Sequence, residues 1–250
     1  MKLNTQLKTT MSLAAAMGTL ALATSAQAAV IYEHGFGGSD GVNLFGTTVD
    51  VDNNGGGNTW SGTDGVFEAN GDVSGNAGVW LPFAPTTGNI YQLSATIDFV
   101  SGDWITLGFA AGNPDANFNT IAAEPYGTTL VSGTDVQTFD GQGLNGGNAH
   151  SVLSGFNDVD IVLDATDAIS ANWTVAFYLE GALVSGPSTI TNSGTWPEAG
   201  DLNRIQYVGF SSSGATIGAI DDFALTTIPE PTTTALLGLG GFALIFRRRK

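Results

Sequence analysis

Residues Ile90–Val100 alternate in polarity without a break. Tyr91, Leu93, Ala95, Ile97 and Phe99 fall on one side, and Gln92, Ser94, Thr96 and Asp98 on the other. A period of two is the signature of a strand with one face in a core and one in water. The pattern returns at Trp104–Ala110, with Ile105, Leu107 and Phe109 in phase. It returns at Asp158–Ala165 (Val159, Ile161, Leu163, Ala165) and at Trp173–Glu180 (Trp173, Val175, Phe177, Leu179). Glu180-Gly181 then turns the chain into Ala182–Val184. Weaker strands are expected at Val30–Tyr32, Gly65–Ala69, Gly78–Phe83, Thr128–Val131, Ile205–Phe210 and Ile217–Leu225. No amphipathic helix of ten residues and no fixed-period repeat interrupts them. Short alternating strands joined by turn pairs such as Asp40-Gly41, Asp64-Gly65 and Asp140-Gly141 predict an all-β, antiparallel β-sandwich. Continuous apolar runs, which a parallel α/β sheet needs, are missing. Polar loops near 52–64, 111–127, 140–149 and 185–204 should decorate the edges of the sandwich.

The two ends obey different rules. Lys2 and Lys8, an apolar run from Met11 to Ala23 and the small-x-small triplet Ala26-Gln27-Ala28 compose a signal peptide over residues 1–28. At the other end, Pro229-Glu230-Pro231 precedes an apolar run, Ala235–Phe246, and a basic stop of Arg247, Arg248, Arg249 and Lys250. Counted from Thr232, a helix here would reach about 22 Å at about 1.5 Å per residue. The hydrocarbon core is about 30 Å thick, so the run is short for a permanent span. The four cations should stay on the cytoplasmic side. The predicted organisation is therefore a signal peptide (1–28), a β-sandwich domain (29–228), and a tail (229–250) with a short C-terminal apolar helix.

This order of Pro-Glu-Pro, apolar run and basic end resembles the PEP-CTERM sorting signal of gram-negative bacteria. The resemblance implies an exosortase-type processing protease as partner and transient inner-membrane association of a tethered precursor. It also implies a final location at the cell surface or outside the cell. An ordinary C-terminal anchor with a chance Pro-Glu-Pro is the alternative. Within the domain, Trp80-Leu81-Pro82-Phe83, the Tyr91–Phe99 alternation, Trp104–Phe109 and the closing Ile220-Asp-Asp-Phe-Ala-Leu225 resemble concanavalin-like, laminin-G-type jelly rolls. Such folds bind glycans, often with Ca²⁺, and some hydrolyse them, so the resemblance leaves the activity open.

Charge narrows the partners. Six of the seven cations lie in the two ends, leaving only Arg204 in residues 29–228. Of the 23 acids only Glu230 lies outside the domain, so 22 acids against one cation leave it at −21. Such a surface repels nucleic acid and anionic membrane and attracts cations. Adaptation to salty water is the plainer explanation. With no Cys, the core must hold without disulfides.

Asp50, Asp52, Asn54 and Gly55 fit the first half of a calcium loop, where alternate oxygens ligate and Gly turns the chain. Ser61 stands where the closing Glu would be, so a solvated Asx-rich turn is the alternative. Asp221 has the parity of Ile217, Ala219, Phe223 and Leu225 and would face the core, where an unpaired carboxylate is costly. Either a bulge turns it out, or it has a partner. The jelly-roll resemblance implies a calcium ligand there, with Glu33 as its positional companion. Trp173 and Trp80 are expected in the core. Trp60, Trp104 and Trp196 are expected off it, as platforms for stacking sugar rings or as loop anchors. Gly37-Gly-Ser39-Asp-Gly41 matches a hydrolase pattern but lacks the following helix that gives it meaning. His34 and His150 are expected in surface or loop roles. No catalytic constellation stands out.

The expectation is therefore a non-enzymatic, exported surface or matrix protein that binds glycan or contributes structure to an exopolysaccharide layer. A polysaccharide-active glycoside hydrolase or lyase, or a calcium-dependent adhesin, are the alternatives.

Overall fold

In the computed structural model, residues 28–62, 67–111, 125–133, 135–140, 144–149, 155–190 and 205–228 are described. The chain divides into two compact units: Ala29–Ile228, and a second formed by Met1–Ala28 with Pro229–Lys250. Every described strand belongs to the first unit. The signal peptide, the Pro229–Pro231 motif, the apolar tail helix, the Arg247–Lys250 stop and Trp196 lie outside the described residues. Among those described, no helix is long and apolar enough to cross a membrane.

The first half of the domain contributes β1 (Ala29–His34), β2 (Val51–Asp52), β3 (Ser61–Gly62), β4 (Asp72–Ser74), β5 (Ala77–Pro82), β6 (Asn89–Ser101) and β7 (Trp104–Ala110). The second half contributes β8 (Pro125–Val131), β9 (Asp135–Phe139), β10 (Leu144–Ala149), β11 (Asn157–Ala165), β12 (Thr174–Leu179), β13 (Ala182–Thr189), β14 (Tyr207–Ser213) and β15 (Ile217–Ile228). Among the described residues every strand pairing is antiparallel. One sheet runs β13-β12-β11-β6-β15-β1-β2, with β4 added beside β15; the other runs β10-β9-β8-β7-β14-β5-β3. The all-β antiparallel sandwich is thus what the alternation encoded.

The core is where the period-2 positions meet. Leu93, Ala95 and Ile97 of β6 are buried with Val159, Ile161 and Leu163 of β11 and Val175 and Phe177 of β12. They face Ile105, Leu107 and Phe109 of β7 and Val208 and Phe210 of β14 in one continuous cluster. Trp173 is fully buried, and its indole N–H donates to the Asp167 carbonyl at 2.9 Å. That bond satisfies the polar end of a large apolar side chain. The β12–β13 turn follows from its two residues: Glu180 (φ 51°) and Gly181 (φ 70°) are both left-handed, as a tight primed hairpin turn requires.

Several loop expectations are corrected. Residues 52–64 include β3, and 140–149 include β10, whose Leu-Asn-Gly-Gly-Asn-Ala pairs with β9 and carries no apolar alternation in its sequence. The loop placed at 185–204 begins later, because β13 runs on to Thr189. Phe67 and Glu68, expected in a strand, make only isolated bridges, to Val73 and Asn43.

β15 carries the most informative correction. Its register against β6 steps from Asp221↔Thr96 to Ala224↔Ser94, three residues against two, and Asp222 is left-handed at φ 50°. This is a bulge, and it reverses the in–out parity along the strand. Gly218 and Ile220 are buried before it, Phe223 and Leu225 after it. Ile217 is consequently 53% exposed instead of inward, and Asp221 shares its outward parity. The bulge is what spares Asp221 the core.

Candidate functional site

β1 ends by delivering alternate residues Tyr32 and His34, and beyond it Phe36, into the interior. Phe36 adopts a left-handed φ of 44°, which breaks the strand and opens the Gly-rich loop Gly35–Gly38. An open cleft of about 520 Å³ forms there, lined by His34, Gly35, Gly37, Gly38, Ser39, Val42, Thr47, Asp50 and Ala69. His34 is its most unusual wall. Only 7% of the residue is exposed, and neither ring nitrogen has a hydrogen-bond partner among the described residues. The ring lies edge-on to Phe36 (4.7 Å) and Trp60 (5.9 Å). Nδ1 is 3.4 Å from Asp50 Oδ2, but that oxygen is committed to the Gly35 N–H at 2.8 Å. Burial pushes the imidazole below its ordinary range, opposed by the carboxylates of Asp50 and Asp221. His34 is therefore a desolvated neutral imidazole beside an exposed carboxylate, and not the surface residue expected.

Beside this cleft stand three carboxylates, Asp40, Glu68 and Asp72, whose oxygens lie within 4.8 Å of one another. Glu68 accepts the Gly41 N–H at 2.5 Å, and Asp72 accepts from Asn70 Nδ2 at 2.8 Å. Among the described residues this is the one group of three or more such side chains with the spacing to hold a metal ion.

The expected calcium half-loop is organised differently. Asp52 accepts from Asn54 N (3.0 Å), Asn58 N (2.6 Å) and Asn58 Nδ2 (3.0 Å), and these bonds hold its carboxyl below the usual range. Asp50 turns to Gly35 and His34, while Asn54 donates to the Tyr32 hydroxyl (2.7 Å) and the Pro82 carbonyl (3.1 Å). Asp50 and Asn54 thus bond different parts of the framework, and Asp52 closes an Asx turn on Asn54. Asp221 caps its neighbour, accepting the Asp222 N–H at 2.8 Å. Glu33 is exposed opposite Ala224, beyond the bulge, and does not join Asp221 in a three-ligand group.

The tryptophans divide. Trp60 cannot be a sugar platform: it is fully buried, stacked on Phe210 at 5.1 Å and edge-on to Phe223 at 5.1 Å. Its N–H is buried without a partner among the described residues. The reason is the bridge geometry: Trp60 N bonds the Thr47 carbonyl, and Gly46 N bonds the Trp60 carbonyl. These two bonds fold a nominal loop over the sandwich end. Trp104 is half-buried at a small recess of about 110 Å³ with Asp103, Ser132, Asp135 and Gln137. Trp80 is buried in a small cluster of its own with Ala110, against Tyr207.

Residues 227–250 match the model of the PEP-CTERM protein-sorting motif. No curated protein matches the chain. Among solved structures, the carbohydrate recognition domain of Emp47p is similar at 13% identity and a TM-score of 0.44, covering 82% of this chain and 98% of that one. A protein of unknown function with a galectin-like fold from Bacillus subtilis is similar at 11% identity and 0.43, covering 68% and 90%. A mutant of the alginate lyase Aly36B is similar at 12% and 0.40, covering 81% and 97%. Likeness at this level carries no functional weight.

Proposed function

We propose that the protein is exported, sorted by an exosortase-type system from an inner-membrane-tethered precursor, and left at the cell surface or in the extracellular matrix. There its sandwich binds glycan or contributes structure to an exopolysaccharide layer, without catalysis. The observation that carries the reading is the junction at β15. The last described strand ends at Ile228, and the sorting-motif match spans 227–250, so the signal follows directly on that strand. The domain's charge of −21 fits a soluble module that neither nucleic acid nor an anionic membrane surface would hold. Deleting Pro229–Pro231 and fractionating the cells tests the sorting step. Retention in the inner membrane is expected, and normal appearance outside would refute it.

A second reading, a polysaccharide-active hydrolase or lyase, is favoured by one observation: a neutral imidazole stands 3.4 Å from a carboxylate in an open cleft. The same cleft holds Ser39, but His34 Nε2 bonds nothing among the described residues, so no charge-relay chain is assembled there. Sugar-end release from exopolysaccharide, lost in His34→Gln, would promote that reading over the first. A calcium-dependent adhesin is favoured by Asp40, Glu68 and Asp72. A Ca²⁺-dependent rise in melting temperature that Asp72→Asn removes would support it, because a ligand of the native state must stabilise it.

A further inference from the structure

A second cleft, of about 240 Å³, opens where β15 ends. It is lined by Ile31, Asn53, Asn54, Phe83, Ala84, Thr86, Asn89, Tyr91 and Thr227. In a domain with 22 acids, none of these nine side chains is a carboxylate or a cation. Its polar equipment is amide and hydroxyl, and its floor is aromatic: Phe83 and Tyr91, packed edge to face at 5.1 Å, are 4% and 3% exposed.

The three amides are oriented by the bonds they make. Asn53 Nδ2 donates to the Val30 carbonyl at 2.8 Å. Asn54 Nδ2 donates to the Tyr32 hydroxyl and the Pro82 carbonyl, and that hydroxyl donates to the same carbonyl at 2.6 Å. Asn89 Nδ2 donates to Thr86 Oγ1 at 2.8 Å and to the Thr86 carbonyl at 3.3 Å. A carbonyl can only accept, so in each case the amide nitrogen must face the protein. Asn54 and Asn89 each direct two such bonds at the framework and Asn53 one, and each amide keeps its Oδ1 as a spare acceptor. Among the described residues, no donor reaches any of the three. The hydroxyls are also committed: Tyr91 accepts the Thr86 N–H at 2.8 Å, and Thr227 accepts the Ala29 N–H at 3.2 Å.

A small neutral cleft with an apolar floor and an excess of acceptors calls for a ligand rich in donors and poor in charge. We propose that Asn53, Asn54 and Asn89 form a subsite for a single neutral sugar residue, whose hydroxyls donate to the three Oδ1 atoms above the Phe83–Tyr91 floor. Its volume is below the range typical of drug-sized ligands, which suits one ring of a longer chain. Uronic acids and other anionic sugars are disfavoured, since the site offers no cation and the domain around it is strongly negative. The proposal rests on the glycan-binding reading and adds to it a place and a substrate class.

The test is nuclear magnetic resonance on the full chain, following the amide side-chain signals of Asn53, Asn54 and Asn89. The ligands added are the methyl glycosides of glucose, galactose and mannose, with methyl glucuronide, K⁺ and Ca²⁺ as comparisons. The expected result is saturable shifts at these three amides with a neutral glycoside and little response to the glucuronide. Asn53→Ala combined with Asn89→Ala should weaken binding at least about tenfold, the effect of losing two hydrogen bonds. Because the readout is made on the unaltered chain, it stands even if the variant folds poorly. Shifts from a neutral sugar that map elsewhere overturn the subsite and leave the glycan-binding reading intact. Shifts at the three amides with K⁺ or Ca²⁺ but with no sugar overturn it in favour of a cation site. No shift with any saccharide overturns both the subsite and the reading on which it rests.

Discussion

Replacing Trp60 by Ala separates a core residue from a binding residue. Trp60 is fully buried and in ring contact with Phe36, Phe210, Phe223 and His34. Truncating a buried Trp to Ala costs about 3–5 kcal/mol through lost transfer energy and the cavity left behind. One feature works against the full cost. The indole N–H is buried without a partner among the described residues, and leaving such a group unsatisfied costs about 1–3 kcal/mol, which truncation relieves. A net loss of about 2 kcal/mol is therefore expected. For a domain of this size, 1 kcal/mol moves the midpoint by about 2–4 °C, so the melting temperature should fall by about 4–8 °C. Trp60→Phe should fare much better, within about 1 kcal/mol of wild type, because it keeps an aromatic ring on Phe210 and removes the orphaned N–H. Thermal denaturation followed by circular dichroism measures both. A Trp60→Ala variant that melts within about 2 °C of wild type, or a Phe variant as damaged as the Ala one, would refute the core role. Loss of saccharide binding with an unchanged midpoint would restore Trp60 as a platform.

Burial lowers the folded-state affinity of His34 for protons below that of the unfolded chain, whose imidazole titrates near 6.5. As pH falls from that value, the unfolded state takes up a proton that the folded state refuses, so stability is lost. The difference in melting temperature between wild type and His34→Gln should therefore shift against wild type between about pH 7 and pH 5, and a constant difference would contradict the assignment. An added Cβ at Gly209 would run into the Val79 carbonyl and the Trp80 backbone, whereas nothing lies within 4 Å of one at Gly37. Gly209→Ala should cost about 3 kcal/mol or more in denaturant unfolding, and Gly37→Ala should stay within about 0.5 kcal/mol.

The strongest signal in the sequence is repetition with period two over five or more residues, and β6, β7, β11 and β12 were legible because each has one apolar face. The shorter or weaker patterns at β1, β5, β8, β13, β14 and β15 also fall on strands. What escaped did so for identifiable reasons. β2 and β3 are two residues long, too short for any period to show. β10 is rich in Gly and Asn and carries no apolar alternation to read. The Asp222 bulge is a backbone event that inverts parity, so a strict count from Phe223 backwards puts Ile217 on the wrong side, while for Asp221 the cost of a buried carboxylate already pointed to a bulge as one of two readings. Trp60 looked like a loop residue because its neighbours are Asn, Thr, Ser and Gly, while its partners Phe210 and Phe223 are remote in sequence. For His34 a signal did exist: Tyr32, His34 and Phe36 share one parity, and all three are buried. The Asn53–Asn54–Asn89 cleft had no local signal, since its amides meet only after β1, β6 and β15 pair side by side.

Whether this exported sandwich holds neutral glycan can be measured by affinity electrophoresis. The purified protein is run through gels cast with neutral and with uronate-rich exopolysaccharide. A glycan-binding sandwich with a neutral subsite should be retarded in the neutral gel and migrate almost freely in the uronate gel. Free migration in both would contradict glycan binding.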